Sequence, residues 1–337
     1  MSLTEILATN LLSPVVLAFV LGAAATLVRS DLEIPEPLYQ GLSIYLLLAI
    51  GLKGGTALAV TPLGDVVAPA AMTLLLGTVT PITAFAALRY LGRMDRVNAG
   101  ALAAHFGSVS AVTFLAALAF AEATGVPAEG YMPALVALLE IPAIGIGILL
   151  AKMGSEGAAA TGSRPSSSSA SDARSVWGPL LHEVLTGRSI VLLVGGLAVG
   201  WVAGPSRMAQ VDPFFVGIFP GLLALFLLEM GLVAARRLRD IRAAGLQLLF
   251  FGIGLPIVHG VLGVWGGTVA GLSVGGAGVF GTMVASASYI AAPAAVRVAL
   301  PAAKPSLYLT TSLGITFPFN LVLGIPLFFA LAHYLGG

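Results

Sequence analysis

Ser108-Val109-Ser110 and Ser286-Ala287-Ser288 repeat one short polar phrase, each inside an apolar stretch and at matching places in the two halves of the chain. A hydroxyl-bearing interruption of a helix at membrane depth survives only where it lines a buried cavity, because hydrocarbon cannot satisfy the backbone groups it frees. Paired interruptions at equivalent positions of two repeats are the sequence mark of a transporter's substrate site.

The surrounding composition requires a bilayer. Apolar residues make up 58% of the 337 positions, charged residues 9%, and there are 42 glycines, whereas a soluble domain carries roughly a quarter charged residues. A spanning helix needs about 20 mainly apolar residues. Ten stretches meet that need: 12–28, 38–60, 66–91, 98–121, 131–152, 185–203, 214–235, 243–270, 275–296 and 306–334. The net charge of +1 gives no concentrated basic face, so a nucleic-acid partner is excluded. Without cysteine there is no thiolate chemistry, and no motif for a cofactor, ATP or a nucleophilic serine occurs. Transport is expected to draw on an ion gradient.

Cations fix an expected orientation. With ten spans threaded alternately, fourteen of the sixteen Lys and Arg residues fall on one side, among them Arg89, Arg93, Arg96, Lys152, Arg236, Arg237 and Lys304. Arg207 falls opposite and Lys53 lies within a span. The positive-inside rule then places both termini outside and the central linker in the cytoplasm. Residues 1–10 carry no Lys or Arg, so the basic start of a cleaved signal is missing and the first helix is expected to remain.

The Ser/Gly/Ala-rich segment 154–184 reads as a flexible linker between a first five-helix repeat, 1–153, and a second, 185–337. Gly51-Leu52, Gly77 with Pro81, Ser108/Ser110 and Pro142 recur as Gly231-Leu232, Gly252 with Pro256, Ser286/Ser288 and Pro318, at offsets of 175 to 180 residues. An odd number of spans per repeat inverts the second relative to the first. The expected fold is therefore an all-α polytopic membrane protein of about ten transmembrane helices, built as two inverted repeats with crossed broken helices.

Ser108, Ser110, Ser286 and Ser288 are the expected substrate contacts, with Thr113 and Tyr289 beside them; Pro293 predisposes the chain before it to unwind. Freed amides at a helix start suit a small anion. The same small residues also suit close helix packing. Lys53, Glu140 and Glu229 are ionisable groups inside spans, where function is the default expectation. Lys53 and Glu229 sit near equivalent positions and are candidate partners, although a lysine can also snorkel to the interface. Thr316 and Asn320, near Pro318, offer oxygens suited to a hard cation such as sodium. His105, one turn before Ser108, reads as a packing residue.

The runs His105-Phe106-Gly107-Ser108-Val109-Ser110, Ser286-Ala287-Ser288-Tyr289-Ile290-Ala291-Ala292-Pro293 and Gly324-Ile325-Pro326-Leu327-Phe328 resemble the cyanobacterial sodium-dependent bicarbonate symporter family. Ile50-Gly51-Leu52-Lys53-Gly54-Gly55 and Glu140-Ile141-Pro142-Ala143 extend the likeness to nearly the whole chain outside the linker. The resemblance implies a homotrimer in the bacterial plasma membrane, a core domain moving against a gate domain, and bicarbonate imported with sodium between the broken helices. It also implies inhibition, in some members, by a small trimeric cytoplasmic protein of the nitrogen-regulator type. Two positions depart from that pattern: Tyr289 stands where the family has an aspartate and Lys53 where it has a threonine, which raises a sodium-independent or proton-coupled mode through Glu140 or Glu229. A symporter for another small monovalent anion such as acetate, or a non-transporting sensor on the same fold, are the competing readings.

Overall fold

The structure, a computed structural model, describes residues 3–153, 182 and 185–336; the expected linker at 154–184 falls almost wholly outside them. All regular elements among the described residues are helical. They are α1 (Leu3–Leu11), α2 (Pro14–Leu27), α3 (Glu36–Val60), α4 (Leu63–Leu91, its last turn π-helical), α5 (Arg96–Gly107), α6 (Ala111–Ala123) and α7 (Met132–Lys152). Then come α8 (Arg188–Met208), α9 (Phe219–Arg236), α10 (Gly245–Val269), α11 (Val274–Ala285), α12 (Ala291–Ala299) and α13 (Pro305–Gly336).

Among the described residues, eight helical stretches are long and apolar enough to cross a membrane, or nine if the bent pair α1 and α2 is one span. The sequence pattern anticipated ten, and the difference has two local causes. The first span carries an additional helix in front of it. Ser13 accepts the Val16 amide at 3.3 Å with Pro14 in the first helical turn, which starts a new helix at 58° to α1. The Asn10 side chain then ties α1 to α13 by donating to the Leu321 carbonyl at 2.9 Å. The ninth stretch is no continuous rod: α11 has only 12 residues, about 18 Å of helix against a hydrocarbon core of about 30 Å.

Helix packing sorts the chain into two groups. In one, α2 packs on α9 and α3 on α8, with α3 and α9 in contact. In the other, α4, α5 and α7 pack together, as do α10, α11 and α13, and the two triplets meet through α4 with α10 and α6 with α11. Exchanging the halves of the chain maps α2–α9 onto α3–α8 and one triplet onto the other, and leaves α3–α9 and α4–α10 unchanged, a pattern that points to internal symmetry.

Small residues set the closest approach. A Cβ on Gly51 would stand 2.6 Å from the Leu193 carbonyl oxygen, and one on Gly55 would stand 2.1 Å from that of Leu197. Gly196 and Gly200 face them from α8, so each helix presents a glycine every fourth residue at the seam. Because Gly51 meets Gly196 and the next turn meets the next turn, α3 and α8 run in the same direction.

Candidate functional site

Two interruptions meet in the interior. After Gly107 the chain leaves helical geometry, with Ser108 at φ −95°, ψ 162° and Ser110 at φ −84°, ψ 107°. After Ala285 it does so again, with Ser286 at φ −79°, ψ 163°. Both segments are extended and cross each other. The Ser110 amide donates to Ser286 Oγ at 2.8 Å, and the Ser288 amide donates to the His105 carbonyl at 2.9 Å. These bonds satisfy backbone groups that neither helix can serve. Pro293 lies in the first turn of α12, where its missing amide costs nothing, so the helix begins only after the serines.

The ends of the breaks are capped by their own side chains. Ser110 Oγ accepts the Thr113 amide at 3.2 Å and the Thr113 hydroxyl at 2.9 Å, and Ser288 Oγ accepts the Ala292 amide at 3.2 Å. On the far side, the Asn320 side chain donates to the Ala285 carbonyl at 3.0 Å. Asn320 opens one of two π-helical stretches of α13, Thr310–Thr316 and Asn320–Gly324, which flank Pro318. Such widenings aim side chains that a regular helix cannot.

The four buried serines divide into two kinds. Ser110 and Ser288 line a small cleft together with Tyr289, Glu140 and Ser189. Ser286 faces inward and donates its proton to the Met283 carbonyl at 2.8 Å; Ser108 turns toward Glu140, 3.4 Å from its Oε1. The second serine of each phrase thus faces the cleft, while Ser286 holds the crossing and Ser108 bonds to Glu140. The hydroxyls of Ser110 and Ser288 accept hydrogen bonds, which leaves their protons for the cleft. The Tyr289 hydroxyl lies toward Ser110 without a hydrogen bond of normal geometry. Ala111 and Ala291, the first residues of α6 and α12, complete the wall, so two helix N-termini with their positive ends point at one space.

The remaining candidates are spread around this cleft. Glu140, on α7, is buried and reaches it. Thr113 supports Ser110 from behind. Thr316 donates to the Gly252 carbonyl at 2.8 Å, and Asn320 Oδ1 is buried without a donor. Glu229 lies on α9 away from the cleft lining, with Oε2 unpartnered. Lys53 does not pair with Glu229: its Nζ lies 2.7 Å from Glu122 Oε1, on a different cleft. The distance rather than the spacing decides this, since Glu122 is 69 residues along the chain. His105 is buried with its ring stacked on Tyr308 at 4.5 Å and its Nε2 unpartnered, while its carbonyl holds the second break. Ser189 was not read as a site residue. It stands at the start of α8 beside Arg188, where a serine carries no signal of its own.

Crossed interrupted helices that enclose hydroxyl donors between two helix N-termini, inside a bundle of membrane-length helices, define a polytopic membrane transporter rather than an enzyme. The model of the Na+-dependent bicarbonate transporter superfamily matches residues 14–333, and the chain belongs to that superfamily. No curated relative matches it.

Proposed function

We propose that the chain imports bicarbonate by cation-coupled symport, with Ser110, Ser288 and Tyr289 donating to the anion between the N-termini of α6 and α12. The observation that carries this reading is the division of the serines: three hydroxyl protons and two helix starts converge on one cleft that holds no Lys or Arg. Such a site suits a small monovalent oxyanion. Ser286 and Thr113 serve it indirectly by holding the breaks, and Ser108 by bonding to Glu140.

Glu140 explains why a cation must accompany the anion. A carboxylate lining an anion site repels its ligand until a proton or metal cation neutralises it. Sodium is the coupling ion we favour, with Thr316 and the unpartnered Asn320 Oδ1 as oxygen donors behind the second break. Glu229 is kept as a second proton-linked candidate. Lys53 is not part of that coupling in this reading, because it faces another cleft.

The proposed framework is two inverted five-helix repeats, 1–153 and 185–337, joined by a cytoplasmic linker at 154–184, with both termini outside. The group of α2, α3, α8 and α9 acts as the gate, and the remaining helices as the core that moves against it. Trimer assembly and a cytoplasmic regulator of the nitrogen-regulator type follow from the family likeness. Uptake of labelled bicarbonate into proteoliposomes, with sodium or choline outside and with acetate and formate as competitors, tests the proposal. Sodium-dependent uptake that acetate leaves intact supports it; uptake of acetate in preference to bicarbonate, or no uptake of either, overturns it.

A further inference from the structure

A second cleft lies between α3 and α6. Ala49, Ile50 and Lys53 of α3 face Leu118, Ala119 and Glu122 of α6, and Phe215 and Phe219 close one side. Lys53 also lines an adjoining cleft that reaches Asp212 and the end of α8 at Met208. The serine cleft, by contrast, reaches Ser189 at the start of α8. The serine cleft and the adjoining Lys53 cleft therefore sit toward opposite ends of α8, while on α3 Leu47 of the first lies two residues from Ala49 of the second. On α6 they are separated by the step from Ala111 to Leu118, about 10 Å of helix, which is filled by buried Val112, Phe114 and Leu115.

Charge marks this outer space. Lys53 and Glu122 bridge the two helix groups and remain 56% and 59% exposed. Solvent screens an exposed pair of this kind, which leaves it too weak to lock the groups together. It is weak enough for another carboxylate-like anion to take the place of Glu122 on the ammonium. We propose that Lys53 is an anion-collecting residue at the mouth of the substrate path, holding a small monovalent oxyanion in exchange for Glu122 before the anion passes to Ser110 and Ser288. Glu122 then sets the occupancy threshold: it competes with the incoming anion and screens Lys53 when none is present. Specificity at the mouth is for charge and size, since apolar side chains form the rest of its wall.

The proposal rests on the transport reading only in taking the bound anion to be the cargo. Its test reads binding directly. The full-length chain in lipid nanodiscs is treated with an amine-acylating reagent while bicarbonate is titrated against gluconate at constant ionic strength. Acylation of Lys53 is followed by peptide mass spectrometry, with the exposed Lys304 as internal reference. In Glu122→Gln bicarbonate is expected to slow acylation of Lys53 by about tenfold and to leave Lys304 unchanged; in the wild type, where Glu122 already screens the ammonium, the slowing is smaller and its half-effect lies at several-fold higher bicarbonate. Equal acylation with and without bicarbonate in both proteins, or equal slowing of Lys304, overturns the proposal. Protection of Lys53 in a chain that moves no bicarbonate would sink the transport reading alone, and transport with Lys53 unprotected would sink this one alone.

Discussion

The hydroxyls at the crossing separate binding from scaffolding, and single substitutions should reveal the separation. Tyr289→Phe removes a hydroxyl that makes no hydrogen bond in the protein, so folding loses nothing by its absence. We expect an unchanged thermal midpoint and a rise of about tenfold in the bicarbonate concentration for half-maximal uptake, on the order of 1.4 kcal/mol for one lost donor. Ser286→Ala should behave in the opposite way. It strips the acceptor from the buried Ser110 amide, which costs about 1–3 kcal/mol, so the thermal midpoint falls even without substrate. Equal stability of the two variants would contradict the division of roles. That division could not be read from the sequence, which shows the same two-serine spacing in both phrases. It depends on where each proton goes, and the partners lie as far apart as Ser110 and Ser286, 176 residues along the chain. What the sequence does display is the presence of the breaks, because Gly107, Pro293 and clustered serines interrupt runs that are otherwise uniformly apolar.

Helix ends and helix seams carry the next level of specification. Asp95 caps α5, accepting the Asn98 amide at 3.0 Å and the Asn98 side chain at 2.7 Å; Asn98 in turn accepts the Lys304 amide at 2.8 Å. Burial alone would raise the Asp95 carboxyl, but the hydrogen bonds from Asn98 outweigh it and hold the group below its ordinary value. A lowered folded value means that this contribution is complete above the unfolded value of about 4. It is lost as pH falls through the folded value. The thermal midpoint should therefore drop below pH ~4 in the wild type and drop less in Asp95→Asn, as differential scanning fluorimetry in detergent would show. Ser273 does the matching work for α11, accepting the Gly276 amide at 3.0 Å, and Glu129 from the first half accepts the Ser273 amide. The α3–α8 seam gives a second test at this scale. Gly51→Ala would press a methyl against backbone atoms of Leu193 and Gly196 that cannot turn aside, with an expected loss of about 1–3 kcal/mol. Eight of the ten expected spans were legible in the sequence because hydropathy measures them directly. Helix α1 was not, since Leu3–Leu11 is too short to span, and its place depends on Asn10 reaching α13.

At the scale of the molecule, the proposed path joins two clefts that buried Val112, Phe114 and Leu115 separate on α6. If the core moves against the gate, the mouth at Lys53 and the serine cleft at Ser189 should open alternately. The sequence contains no cysteine, so Ser189→Cys introduces a unique thiol whose reactivity toward an impermeant reagent reports that cleft. Lys53 acylation reports the other. Under opposing ion gradients the two rates should change in opposite directions, one rising as the other falls by a comparable factor. Rates that rise and fall together would indicate a continuous pore, and rates indifferent to the gradient would indicate a rigid scaffold. Glu140→Gln sharpens the argument. A neutral side chain at the cleft needs no cation to discharge it, so exchange of labelled for unlabelled bicarbonate should persist while accumulation against a gradient is lost. Accumulation retained in that variant would move the coupling away from Glu140, toward the oxygens of Thr316 and Asn320 or toward Glu229.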